Sequence, residues 1–155
     1  MEFETASSEI RATPMLNPAV TGLIILLMSS PAPANPATNA LSPCPETPNC
    51  VSSQAADAAH YIEPIPFSDP PAHALERLRN VLENEPRTTI ITLQDNYLHA
   101  EARSLLFRFV DDVEFLLDRE RGLIHVRSAS RTGYSDLGVN HRRVERIRKA
   151  FQKTP

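Results

Sequence analysis

The chain has no apolar run long enough to cross a bilayer as a helix. Its one candidate, Ala19–Met28 (AVTGLIILLM), is ten residues, about half of the ~20 that a span requires. It has no excess of positive charge: the formal net charge is −3, so the protein as a whole offers no electrostatic case for nucleic acid or an anionic membrane. It has no C-x-x-C pair of the kind used in thiol redox catalysis, no internal repeat and no motif that implies a cofactor.

What remains is an ordinary globular composition. A length of 155 residues with 41% apolar side chains and a mean hydropathy of −0.28 fits one soluble domain with its own core. The charge is unevenly placed. Residues 35–120 hold six Arg against fourteen Asp and Glu, whereas residues 121–155 hold nine Arg and Lys against two. That asymmetry predicts ion pairing between the basic C-terminal third and the acidic middle, rather than an external basic grip.

The apolar run suits the h-region of a secretory signal, and SSPAPANPA after it supplies an A-x-A site at Ala32 and Ala34, which would leave Asn35 as the mature start. The preceding residues carry Glu2, Glu4 and Glu9 against Arg11, the reverse of the usual bias. A start at Met15 would remove all four charges. Residues 1–34 are therefore expected to be a signal peptide, with a retained N-terminal anchor as the alternative, and the protein to be exported or, in the second case, membrane-anchored. Membrane contact is expected only through this segment.

Residues 31–71 contain ten of the fourteen prolines, which excludes continuous helix or central strand. Residues 35–68 read as an extended lead-in to an α+β domain at 69–155. Within the lead-in lies CPETPNC, Cys44 to Cys50. In an oxidising compartment a disulfide is expected; free thiols remain open, and a metal site with His60 would lack a ligand and match no compact zinc spacing.

In the domain, Asp69 before Pro70 and Pro71 reads as a helix cap, and Leu75, Leu78 and Leu82 with Ala74 and Val81 form the apolar stripe of a helix over about 70–84, closed by Pro86. The period then changes to two. Thr88–Leu93 and Tyr97–Arg103 read as strands. A third runs through Phe107, Phe109, Val113, Phe115 and Leu117, and a fourth turns Ile124, Val126 and Ser128 inward. Asn140 is positioned to cap a last helix with Val144, Ile147 and Phe151 on one face. The expectation is a two-layer α+β sandwich in the order α-β-β-β-β-α, with a four-stranded antiparallel sheet.

Chemistry could lie on the outer sheet face, where alternation places His99, Glu101 and Arg103 on the second strand and His125, Arg127 and Arg131 on the fourth. A hydrolase or isomerase would use His99 or His125 with Glu101 or Asp112, provided a pocket lies beside them. On the last helix Arg142, Arg146, Lys149 and Lys153 form one stripe, which reads as a solvated basic face. With no aromatic side chains interleaved, nucleic-acid binding is disfavoured. The loop before the helix is the stronger candidate. Arg127, Ser128, Ser130, Arg131, Tyr134 and Ser135 supply donors beside Asp136 and Asn140, and Gly133 and Gly138 could let backbone amides converge on an anion. The competing expectation is that Arg127 and Arg131 pair with Asp111, Asp112 or Asp136.

CPETPNCVSS (44–53), FVDDVEFLLD (109–118) and RSASRTGYSDLGVNHRRVERIR (127–148) resemble, in the same order, the signature blocks of a bacterial and plastid domain-of-unknown-function family, number fourteen ninety-nine. The family pattern usually has Arg after the Asn of GVN, where this chain has His141. The resemblance implies no catalytic residue and no cofactor; it implies an N-terminal signal or membrane segment, common among members. The sequence thus favours a small exported domain that binds an anionic small molecule, or a partner's acidic segment, at residues 128–136. A purely structural module and the histidine enzyme stand as alternatives.

Overall fold

In a computed structural model the described residues are 40–105 and 108–154, all within one unit, Pro31–Pro155. The expected signal or anchor at 1–34 and the inward position of Phe107 lie outside them.

Helix α1 spans Pro71–Glu83 with Pro70 at its cap. Proline suits this place because the N–H it lacks would have no helical partner there. Asp69 does not cap: the cap makes no side-chain hydrogen bond, and Asp69 instead accepts from Arg77 Nη2 at 2.7 Å. Helix α2 spans Val139–Lys153. Both present the expected stripes: Ala74, Leu78, Val81 and Leu82 on α1, and Val144, Ile147 and Phe151 on α2, are buried.

The architecture is α+β, but the sheet has six strands, not four. These are β1 (Cys50–Ser52), β2 (Ile65–Pro66), β3 (Thr88–Leu93), β4 (Tyr97–Arg103), β5 (Val110–Asp118) and β6 (Leu123–Ser130). The order is β1-β6-β5-β4-β3, with β2 also pairing β6. The two extra strands come from the proline-rich lead-in. Both run antiparallel along the free side of β6, with Cys50 opposite Ala129 and Ile65 opposite Ile124. Proline hides such strands from a reading of alternation, yet it is tolerated on a sheet edge, where Pro66 sits.

The helices cover one face. Leu98, Ala100, Val113, Phe115, Leu117, Ile124 and Val126 point into this core, as the alternation predicts. Phe109 does not: β5 starts only at Val110, and Phe109 is exposed. The opposite face is only partly open. Leu41 packs on Tyr97 and Leu116 as a second apolar cluster, and the Cys44–Cys50 disulfide closes the loop that lies beside it.

Candidate functional site

The lead-in is the reason Arg127 is buried rather than exposed. On the outer face β5 and β6 put Glu114 opposite Arg127, and Arg127 Nη1 donates to Glu114 Oε2 at 2.8 Å. Tyr97, one strand over, donates its hydroxyl to Glu114 Oε1 at 2.9 Å. Burial, reinforced by the Glu114 carboxylate, pushes the Tyr97 phenol far up, so it remains a donor. The expected ion pair of Arg127 therefore forms with Glu114, not with Asp111, Asp112 or Asp136. A guanidinium 4% exposed and paired in this way is not available to a ligand.

Arg131 does pair with Asp112, through Nε and Nη2 at 2.8 Å each. Nη2 also reaches Glu101 at 2.6 Å, and Glu101 in turn holds Arg103 at 2.9 Å. His99 Nε2 lies 2.7 Å from Asp112 Oδ1. Alternating charges thus run Arg103, Glu101, Arg131 and Asp112 across the outer face, with the His99 ring bonded at the end of the row. Burial works to raise the Asp112 pKa, but the bonds from Arg131 and His99 outweigh it and hold the carboxyl well below its usual range. The bonds to Asp112 and Glu101 push the Arg131 guanidinium further up.

On the inner face Ser128, Asn140, Arg143 and Asp111 meet, all 6% exposed or less. Ser128 Oγ donates to Asn140 Oδ1 at 2.6 Å. Arg143 Nη1 donates to the same oxygen at 2.6 Å and to Ser128 Oγ at 3.1 Å, and Nη2 donates to Asp111 at 2.5 Å. Asn140 Nδ2 completes the set by donating to the Asn49 carbonyl and to Ser130 Oγ. Asn140 is thus a buried bracket between β1, β6 and α2. It lies one residue inside the helix and is not the cap.

The helix N-terminus has its own anion. Asp136 Oδ1 accepts from Gly138 N at 2.9 Å and Oδ2 from Asn140 N at 2.7 Å, which satisfies first-turn amides and complements the helix dipole. Ser135 Oγ accepts from Leu137 N, while Tyr134 is 74% exposed. Of the eight residues expected to form one anion site, Ser128, Ser130 and Asn140 gather in a structural network, Arg127 and Arg131 are paired elsewhere, and Asp136 stands where the anion would go.

Beside that loop, between α2 and the end of β4, the structure holds a pocket of about 290 Å³. Its lining includes Arg87, Arg103, Arg142, Arg143 and Arg146 and no acidic residue. Three of these have carboxylate partners outside the lining: Glu101 for Arg103, Asp111 for Arg143 and Glu85 for Arg146. Among the described residues Arg87 and Arg142 have none. Arg87 Nε donates to the Arg103 carbonyl at 3.1 Å and Arg142 Nη1 to the Leu137 carbonyl at 2.9 Å. Arg87 is held with φ at 57°, a left-handed conformation uncommon outside glycine. The sequence concealed this cluster: Arg87 and Arg103 flank a hairpin far from α2 in sequence, and Arg142 and Arg146 read as a solvated stripe.

The histidines stand apart from the pocket. His99 has a carboxylate within hydrogen-bonding reach, but neither it nor His125 lines this pocket or a second one bordered by Leu75, Leu93 and Asp95. His125 Nδ1 lies 3.2 Å from Ser53 Oγ, and because Val126 N donates to that oxygen, the Ser53 hydroxyl is free to donate to the ring. Burial pushes the His125 pKa down, in keeping with a neutral imidazole. The thiols of Cys44 and Cys50 are joined, and His60 bonds Asp57 at 2.8 Å.

The family model described as "protein of unknown function (DUF1499)" matches residues 40–151. The chain belongs to that family. No curated protein matches the chain significantly.

Proposed function

We propose that this member of the DUF1499 family is an exported binding module whose arginine-lined pocket receives the anionic group of a small ligand. The observation that carries the reading is the lining itself: five arginine residues and no acidic residue around one cavity, two of them, Arg87 and Arg142, without an acidic partner among the described residues. Bringing like charges together is unfavourable unless a counter-charge joins them, and guanidinium forks match the oxygens of phosphate or carboxylate. The site lies beside the loop at 128–136 rather than in it, because that loop's donors serve its own fold. Export is supported by the signal-like pattern before Asn35 and by the disulfide, a bond that persists in oxidising compartments.

Titration with glycerol 3-phosphate, followed by NMR of the arginine side chains, tests the reading. Saturable shifts at Arg87 and Arg142 are expected. Each charge-assisted bond contributes roughly 1.5–3 kcal/mol, so Arg142→Ala should weaken binding by about tenfold or more. Binding that survives Arg87→Ala and Arg142→Ala together would sink the proposal.

A further inference from the structure

We infer that the anionic group is the headgroup phosphate of a membrane lipid, and that this end of the protein docks on an anionic bilayer. The inference rests on the pocket reading above and adds what surrounds the pocket. Ser104 and Leu105 after β4 and Val139 at the start of α2 belong to its rim, and large apolar side chains stand exposed on and beside both. Leu105 is 78% exposed and Val139 39% exposed, and both line the pocket. Leu137, whose carbonyl holds Arg142, is 84% exposed. Phe109 is 51% exposed and bonded through its backbone to Ser104 of the pocket wall.

A cationic floor between apolar tips has a specific complement. A free phosphate would use the arginines and leave the leucines in water. An acidic peptide would bring charge and bound water against those same leucines. A bilayer of anionic lipid supplies both parts in the right order: phosphates at the level of the guanidiniums and acyl chains just beyond, where Leu105 and Leu137 would insert. The net charge of −3 does not oppose this, because at physiological salt charges more than a Debye length of ~8 Å away are largely screened, which leaves the local arginine surface to set the field at contact.

The test is co-sedimentation of the full chain with phosphatidylglycerol-containing and pure phosphatidylcholine vesicles, run beside the glycerol 3-phosphate titration. The run Ala19–Met28 is common to every variant, so differences between variants carry the result. Leu105→Ser with Leu137→Asn removes two apolar tips and no guanidinium, and asparagine tolerates the positive φ of Leu137; melting curves check that the variant folds. Expected are preferential binding to anionic vesicles, a fall of roughly fivefold in partitioning for Arg142→Ala, and a comparable or larger fall for the leucine pair. If glycerol 3-phosphate binds but vesicle binding ignores these substitutions, the membrane inference is overturned and the pocket reading stands. If a hexaglutamate peptide binds at the pocket and vesicles do not, an acidic protein segment replaces the lipid. If neither phosphate nor vesicles bind, both readings fall.

Discussion

Arg143 on α2 donates to Asp111 on β5 at positions 6% and 3% exposed, and this pair ties the last helix to the middle of the sheet. The same guanidinium bonds Ser128 and Asn140, so all four groups satisfy one another. Removing one partner of a buried pair strands the other, which costs ~3–5 kcal/mol, whereas replacing both by apolar residues is often tolerated. Arg143→Ala is therefore expected to be strongly destabilising in urea unfolding, and Arg143→Met with Asp111→Leu markedly less so. A single-variant loss below about 1 kcal/mol would show that the network is slack.

The disulfide holds the lead-in closed next to the outer face, where Leu41 covers Tyr97 and Leu116. Closing so short a loop should contribute about 2 kcal/mol in the chain-entropy model. Reduction, or Cys44→Ala with Cys50→Ala, is expected to lower the unfolding free energy obtained from urea titration by that much. It should also speed amide exchange at Asn49 and Cys50 first, because these residues join the lead-in to β6 and α2. Unchanged exchange there would mean that β1 pairing alone holds the lead-in.

Much of this architecture was legible and part of the site was not, for one physical reason. Alternation and helical period report on burial against the main core, so β3, β4, both helices and the inward side chains of β6 follow directly from Thr88–Leu93, Tyr97–Arg103 and the stripes through Leu78 and Ile147. The second layer of cover does not announce itself. Arg127 sits on the polar phase of its strand and is buried only because the lead-in folds over it and Glu114 lies opposite. Asn140 has the composition of a cap, yet Asp136 reaches the amides first. The arginine pocket gathers residues whose sequence neighbourhoods have nothing in common.

Two pH windows follow from titrating groups. Burial lowers the folded pKa of His125 below the ordinary value of about 6.5. The unfolded chain then binds the extra proton first, so stability is complete above pH ~6.5 and declines as pH falls through the folded value. Thermal melts between pH 8 and 5 should show this slope, and His125→Gln should flatten it. Asp112 acts in the same direction at lower pH. Its folded pKa is depressed, so its contribution is present above ~3.9 and is lost as pH drops toward the folded value. Asp112→Asn should remove that acid limb. An unchanged slope in either variant would assign the effect to other groups.

Gly138 connects the stability of the loop to the pocket. Its φ is 76°, and a Cβ there would lie 3.1 Å from Arg142 Nη1, so two effects are superposed in any substitution. A left-handed conformation costs an ordinary L-residue ~1–2 kcal/mol, while asparagine adopts it at lower cost. Crowding of Arg142 is common to both alanine and asparagine, because it arises at Cβ. Gly138→Ala is thus expected to lose both stability and glycerol 3-phosphate affinity, whereas Gly138→Asn should keep most of the stability and still bind more weakly, because the Arg142 guanidinium has to give way to the added Cβ. Urea unfolding and ligand titration of the two variants separate the effects. If Gly138→Asn bound like the wild type, the crowding at Arg142 would be absorbed without cost to the anion site.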